Sequence, residues 1–292
     1  SVIWNQEEAK FQVPPNVFGI GIGMLGPTMM AHGTPEQKSM HLERMARGDD
    51  LWCQLFSEPA AGSDLAGLRT SAVKNGDTWT INGQKIWTTG AHFSRWGMIV
   101  TRTDPTVAKH AGLTYFIVDM KAPGVEIRPI KQINGGKAFN EVFFSDVKVP
   151  DSNRVGRVGD GWRVAITTLM NERVALGGAS RPGHGLSEKL LSLWREQGPC
   201  SPRGTDGRSA AEIALLEVDI VALEMMVLRV LSAEKSGKQS LDVAGLLKIR
   251  GSEIQQRYTE LMMLAAGPFA LPFLREAMEA GWQGDHVGAA HC

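Results

Sequence analysis

Cysteine is scarce in this chain: Cys53, Cys200 and Cys292 are the only ones in 292 residues. An odd number, widely spaced, excludes a disulfide framework and forms no Cys-x-x-Cys metal motif. A reducing, cytoplasmic setting is therefore expected. The seven histidines are scattered, and none sits in a His-Glu-x-x-His arrangement, so a metal site is not expected. No apolar run approaches the ~20 residues of a membrane span. The opening residues, Ser1 to Glu8, lack the basic region and apolar block of a signal peptide. An excess of one charge is also missing. Lys plus Arg is 31 and Asp plus Glu is 31, a formal net charge of zero. A balanced chain has no bulk field to draw nucleic acid or an anionic membrane. With 43% hydrophobic and 21% charged residues, the composition is that of a folded globular protein and excludes general disorder. The length suffices for two or three compact units.

The residues present order themselves as helices, strands, then helices, with no internal repeat. Residues 1–12 read as the end of a helix, and Pro14-Pro15 breaks the chain. Thr34-Pro35-Glu36-Gln37 is a helix start: Thr34 caps, Pro35 suits the first turn, and Gln37 completes a capping box. Gly48 is the stop. From about Leu51 the pattern turns to strands. Thr78–Ile81 and Lys85–Thr88 flank Asn82-Gly83, a hairpin signal, and Asn75-Gly76-Asp77 marks another turn. Apolar strands follow over 97–100, 113–118, 125–128 and 141–144, the spacing of a small antiparallel barrel or sandwich ending near Pro150. After Gly161, Trp162, Ala165, Ile166 and Leu169 recur at helical spacing. Long helices follow around Ile213–Val227 and Leu246–Leu261, with a loop across 197–204 between the first and second of these three.

Gly21-Ile22-Gly23-Met24-Leu25-Gly26 matches the G-x-G-x-x-G pattern. A dinucleotide fingerprint needs a strand before it and a helix after it. Here prolines stand on both sides and no βαβ unit surrounds it, so close packing of helices at small residues is the alternative reading. The richest segment is Gln54-Leu55-Phe56-Ser57-Glu58-Pro59-Ala60-Ala61-Gly62-Ser63-Asp64. Its hydroxyls, small residues and backbone N–H groups suit close approach to a flat polar ligand or a phosphate, or else a structural turn. Trp87-Thr88-Thr89-Gly90 sets an aromatic plane beside two hydroxyls, although Trp87 also suits a core position.

Leu55 to Gly67 resembles the signature of the acyl-CoA dehydrogenase family, and Asn82 to Ala91 resembles its second block. Asp146-Val147-Lys148-Val149-Pro150 resembles the strand that leaves the family's β domain. Gly159-Asp160-Gly161-Trp162, followed by Asn171-Glu172-Arg173, resembles the start of its C-terminal bundle. The four blocks stand in family order and cover roughly residues 1 to 190.

The resemblance implies an α+β fold of N-terminal helices, a central antiparallel β-barrel or sandwich, and a C-terminal helical bundle. The implied boundaries are 1–50, 51–155 and 156–292. It implies FAD between the β domain and the bundle. Phe56 and Ser57 are expected to contact the flavin, Trp87 to pack on its face, and Thr89 to hydrogen-bond near N5. Gln54 occupies a flavin-side position where the family often has an aromatic. Ser63 is expected near a phosphate or the thioester end of the ligand, with Asn171 and Arg173 near the substrate. Glu172, in the Glu-Arg pair, is the implied base; a dry site raises a carboxylate's basicity toward the pH of work.

The reaction implied is α-proton abstraction from an acyl-CoA and β-hydride transfer to FAD, in fatty acid or sterol side-chain β-oxidation. Electrons would then pass to an electron-transferring flavoprotein. A homotetramer or heterotetramer is implied. Alternatives are a flavin-dependent acyl-CoA oxidase and a non-catalytic partner subunit. Two departures from the family stand out. Trp194-Arg195-Glu196-Gln197-Gly198-Pro199-Cys200 stands where an Arg-x-Gln-Phe-Gly stretch is usual, with Arg195 a partial substitute. By the same comparison, the chain starts inside the N-terminal helical domain and stops at Cys292, before the family's Gly-Gly-Thr-type segment.

Overall fold

The computed structural model describes residues 17–179, 190–192, 194, 208–235 and 241–266. The expected helix end over 1–12, the Pro14-Pro15 break, the 197–204 loop, Arg195 and the residues at 289–292 lie outside the described residues. The chain divides into two compact units, one of residues 15–175 and one built on the helices beyond residue 176.

The first unit opens with a π-helical turn, Gly21–Leu25, that runs into helix α1 (Gly26–His32). The G-x-G-x-x-G stretch is therefore helical and serves packing. A Cβ on Gly26 would lie 3.1 Å from both the Gly21 carbonyl oxygen and Met45 Sδ, and one on Gly21 would lie 3.3 Å from Met45 Cγ. Helix α2 (Pro35–Arg47) carries Met45 and starts as its sequence dictates. The Thr34 hydroxyl accepts from the Gln37 backbone N–H at 3.2 Å, and the Thr34 N–H donates to Gln37 Oε1 at 3.1 Å. Gly48, at φ +77°, closes the helix in the left-handed region.

Eight strands follow: β1 (Trp52–Leu55), β2 (Ser71–Asn75), β3 (Thr78–Lys85), β4 (Trp96–Arg102), β5 (Leu113–Asp119), β6 (Val125–Pro129), β7 (Asn140–Pro150) and β8 (Arg154–Val155). They pair in the order β6-β7-β3-β2-β4-β5-β8, with β1 on β4. The sheet is not closed into a barrel, because β6 and β8 end the path without meeting. Nor is it wholly antiparallel: β1 runs parallel to β4, and β2 touches β4 in parallel at Ser71 and Arg102. The β2–β3 hairpin lies between β1 and β4 in the chain, so their connection is a crossover, which makes neighbours parallel.

One turn reading needs correction. Asn82-Gly83 is no hairpin turn; it lies within β3, which runs unbroken to Lys85 along β7 with a register shift between Ile81 and Gly83. The hairpin is instead at Asn75-Gly76-Asp77, with Asn75 paired to Thr78. At the β3 bulge, Asn82 exchanges hydrogen bonds with Asp146, and a Cβ on Gly83 would stand 2.7 Å from Thr70 Cα. The glycine is needed for close approach of β3 to the chain entering β2.

Alternation along β4 and β5 sends side chains to two cores. Met98, Val100, Tyr115 and Ile117 join Leu25 and Met29 on the helix-covered face. Ile99, Phe116 and Val118 join Trp79, Ile81 and Val147 on the other, so β3 and β7 fold over the back of β4 and β5. Helix α3 (Gly161–Ala179) lies on the first face through Val164 and Ala165. Its start is set by Gly161, where a Cβ would come within 2.6 Å of the backbone of Leu113 and Thr114.

The second unit holds helices α4 (Arg208–Lys235) and α5 (Leu241–Ala266). Ile213, Leu216, Ile220, Leu223 and Val227 of α4 recur at helical spacing and pack with Leu247, Ile254 and Leu261 of α5.

Candidate functional site

Strand β1 delivers the first two groups. Its alternation places Cys53 and Leu55 in the core behind the sheet, and Trp52 and Phe56 in the helix-covered core. Gln54 shares the helix side, between these two aromatics. Its Nε2 donates to Glu172 Oε2 at 3.2 Å, across 118 residues of chain. Gln54 Oε1 is buried and has no hydrogen-bond partner.

Glu172 arrives on α3 through a polar anchor one turn earlier. Thr168, fully buried, lies 3.0 Å from the Tyr115 hydroxyl and 3.0 Å from the Thr28 hydroxyl. His32 Nε2 and Thr167 Oγ1, 2.8 Å apart, add a tie to α1. Glu172 itself is half-buried and Arg173 is exposed. Asn171 donates back to the Thr167 carbonyl at 2.9 Å, and Arg173 reaches Met170 Sδ.

Beyond β1 the chain turns through Phe56, Ser57 and Glu58, and this turn is fixed from below by a buried ion pair. Lys85, fully buried at the end of β3, donates to Glu58 Oε1 at 2.8 Å and to the Phe56 carbonyl at 3.0 Å. Glu58 also accepts from the backbone N–H groups of Arg69 (2.7 Å) and Thr70 (2.9 Å). Burial pushes the Lys85 ammonium down to about 8 despite the neighbouring carboxylate. Burial alone would raise the Glu58 carboxyl, but the Lys85 charge and the hydrogen bonds it accepts hold it below its ordinary value. Neither residue stands out in the sequence as a pair, because 26 residues separate them and no periodicity links them. Their only sequence signal is that each lies inside one of the first two of the four family-like blocks.

The second loop is tied to the first. The Ile86 N–H donates to the Ser57 carbonyl at 2.9 Å. Trp87 follows at φ +60°, a left-handed conformation that is an outlier for a bulky residue, and its side chain is 57% exposed. The strain is held by Thr88, whose backbone N–H and C=O both pair with the Asn140 backbone at 3.0 Å, while Asn140 Nδ2 adds 2.9 Å to the Thr88 carbonyl. Strained residues held by their surroundings cluster at ligand sites. Phe139 supports the indole edge-on, with ring centroids 6.1 Å apart.

The Phe56-Ser57 turn and the loop that carries Trp87 and Thr89 are thus tied by a backbone bond, and Gln54 and Glu172 by a bond between their side chains. Ser63 lies exposed further along the first loop, and no hydrogen bond among the described residues joins it to either group. The hydroxyls of Ser57, Ser63 and Thr89 likewise have no protein partner among the described residues. An exposed, rigidly held indole beside unpartnered hydroxyls suits a flat, polar aromatic ligand, so these residues fit a flavin. Among the described residues no group of acids, histidines or cysteines forms a metal site, and no helix is long and apolar enough to cross a membrane.

Residues 53–147 match the model of the acyl-CoA dehydrogenase middle domain, and residues 159–283 that of the acyl-CoA dehydrogenase C-terminal domain. Acyl-CoA dehydrogenase FadE34 of Mycobacterium tuberculosis is 52% identical over 185 residues, 63% of this chain and 26% of that protein. The chain therefore spans about a quarter of that relative's length. The Tcur3481-Tcur3483 steroid ACAD is 29% identical with a TM-score of 0.79, covering 86% of this chain and 64% of that one. The ChsE4-ChsE5 complex from Mycobacterium tuberculosis is 30% identical with a TM-score of 0.79, covering 98% of this chain and 73% of that one. With both domain models matched in order along the chain, this chain belongs to the acyl-CoA dehydrogenase family.

Proposed function

We propose that the protein oxidises an acyl-CoA thioester to the 2,3-enoyl-CoA, with Glu172 as the base. The observation that carries this reading is the Gln54–Glu172 contact. It sets a carboxylate beside β1, two residues ahead of the Phe56-Ser57 turn that is bonded to the Trp87 loop. Family membership supports FAD as the cofactor, held by Phe56, Ser57, Trp87 and Thr89, with Ser63 toward a phosphate or the thioester. FAD, when bound, supplies the acceptor for the β-hydride.

The chain's own residues do the rest. Glu172 Oε1, which has no hydrogen-bond partner among the described residues, takes the α-proton, while Oε2 stays on the Gln54 amide. The C–H electron pair remains on the thioester as an enolate. Trp87 covers the cofactor and keeps water from it. Asn171 and Arg173, on either side of the base in sequence, are the proposed substrate contacts, each after turning from its present partner, the Thr167 carbonyl or Met170 Sδ.

An electron-transferring flavoprotein is the proposed electron acceptor. Assembly with a second acyl-CoA dehydrogenase-like chain is supported by the relatives that occur as named pairs. A steroid-bearing acyl group is the leading substrate class, since one of the similar structures is described as a steroid ACAD.

The test is anaerobic. The purified protein, supplied with FAD, should show a bound-flavin spectrum that bleaches with an acyl-CoA panel containing fatty and sterol side-chain thioesters. Glu172→Gln should slow bleaching by roughly 10³-fold or more, the upper range for a positioned proton-transfer group. Unchanged bleaching in that variant would remove Glu172 from the role. No bound flavin at any FAD concentration would favour the non-catalytic partner subunit.

A further inference from the structure

Gln54 sits where an apolar residue would be at home. Half-buried itself, it lies between buried Trp52 and Phe56 on the helix-covered face, and its buried carbonyl oxygen has no partner among the described residues. A buried acceptor without a donor is destabilising, and native structures hold few of them. The amide cannot improve matters by turning over. The carboxylate of Glu172 only accepts hydrogen bonds, so the NH₂ group must face it and the oxygen must face away from it. The one polar contact this side chain gains in exchange is the 3.2 Å bond to Glu172 Oε2.

The backbone of α3 needs no help from that bond. Gly161 seats the helix on β5, and the buried Thr168 hydroxyl ties its second turn to Tyr115 and Thr28. What these anchors leave undetermined is the Glu172 side chain, which has three rotatable bonds and is half-buried. The Gln54 amide removes that freedom by engaging one oxygen only. A neutral donor also holds the carboxylate without supplying a counter-charge, which would weaken it as a proton acceptor.

We infer that Gln54 is a positioning residue that clamps Glu172 Oε2 so that Oε1 faces the α-carbon, and that it does so at the expense of stability. This rests on the reading of Glu172 as the base. The step it serves is a proton transfer: the α C–H bond breaks, an O–H bond forms at Oε1, and the electron pair stays on the thioester enolate. A residue held there for packing alone would predict the reverse pattern, with stability lost on replacement and proton transfer untouched.

The two can be separated without turnover. The FAD-loaded protein is placed in D₂O with an arylacetyl-CoA, which has α-hydrogens but no β-hydrogen to lose, and deuterium uptake at the α-carbon is followed by mass spectrometry. Thermal midpoint and bound-flavin absorbance are recorded in parallel. For Gln54→Met, and for Gln54→Leu as a second variant, exchange should fall roughly tenfold or more, the scale of one hydrogen bond to a charged group. The thermal midpoint should stay level or rise, and flavin should remain bound. In the Glu172→Gln background, Gln54→Met should change nothing further, because its effect runs through the carboxylate. Exchange at the parental rate in both Gln54 variants, or their failure to fold, overturns the inference while leaving the base in place. If the parent protein does not exchange, or Glu172→Gln exchanges as the parent does, the base reading falls and takes this inference with it.

Discussion

A single buried charge carries much of the first loop. Lys85 is fully enclosed, yet its ammonium reaches two acceptors that both belong to the Phe56–Glu58 turn. Removing the cation strands the Glu58 carboxylate, which keeps only the backbone N–H groups of Arg69 and Thr70. Lys85→Met should therefore cost about 3–5 kcal/mol, the range for breaking one half of a buried pair. The measurement is the urea midpoint at unchanged slope. The cost of Lys85→Met/Glu58→Gln should be smaller, since the uncompensated charge is gone. The sequence shows both residues but not their meeting. Burial and pairing arise only when the β1 loop folds back over the end of β3, and neither residue type nor spacing encodes that. The same holds for Trp87: an aromatic at the end of a strand reads equally as core, and its left-handed backbone and exposure depend on Thr88 being held by Asn140.

Elements were legible where their determinants are local. The Thr34–Gln37 capping box and Gly48 stop define α2 within a few residues, and the bonds that form are those the residue types predict. Glu172 and Gln54 both stand out through the order of their motifs, but the contact between them does not, because 118 positions separate them. Asn82-Gly83 shows the limit. The dipeptide favours a tight turn in isolation, but β7 pairs along the whole of β3 and turns the same residues into a bulge over Thr70. Glycines are similarly unequal, and their differences are structural. At Gly161 a methyl would meet the backbone of β5 at 2.6 Å, and backbone cannot swing aside as a side-chain tip can. Gly161→Ala should cost about 1–3 kcal/mol through forced displacement of α3. It should also reduce α-exchange, because Glu172 moves with the helix. At Gly245 in α5 nothing lies within 4 Å of the added carbon, and Gly245→Ala should stabilise by about 0.5–1 kcal/mol. Paired thermal melts of the two variants should move in opposite directions.

At the scale of the whole molecule the open question is what covers α4. Its buried stripe, Ile213 to Val227, faces α5, and Arg250–Asp219 and Arg257–Glu212 ion pairs join these helices along one flank. About half a turn away runs a second apolar row: Leu215, Val218, Val221, Met225 and Leu228, all exposed. A helix that is apolar on two opposite sides belongs in a core with neighbours on both. Contiguous exposed rows of this kind mark interfaces more often than solvent-facing surface. The proposed assembly with a second acyl-CoA dehydrogenase-like chain would use this row. Val218→Glu/Met225→Glu puts two charges in it without touching the α5-facing stripe. The variant should keep its helical circular dichroism and sediment as a single chain, whereas the parent protein sediments as an assembly. If the parent is already a monomer, or the double variant still assembles, α4 is not the interface. If helicity is lost instead, the second row is part of the unit's own fold and the assembly has to be sought elsewhere on the chain.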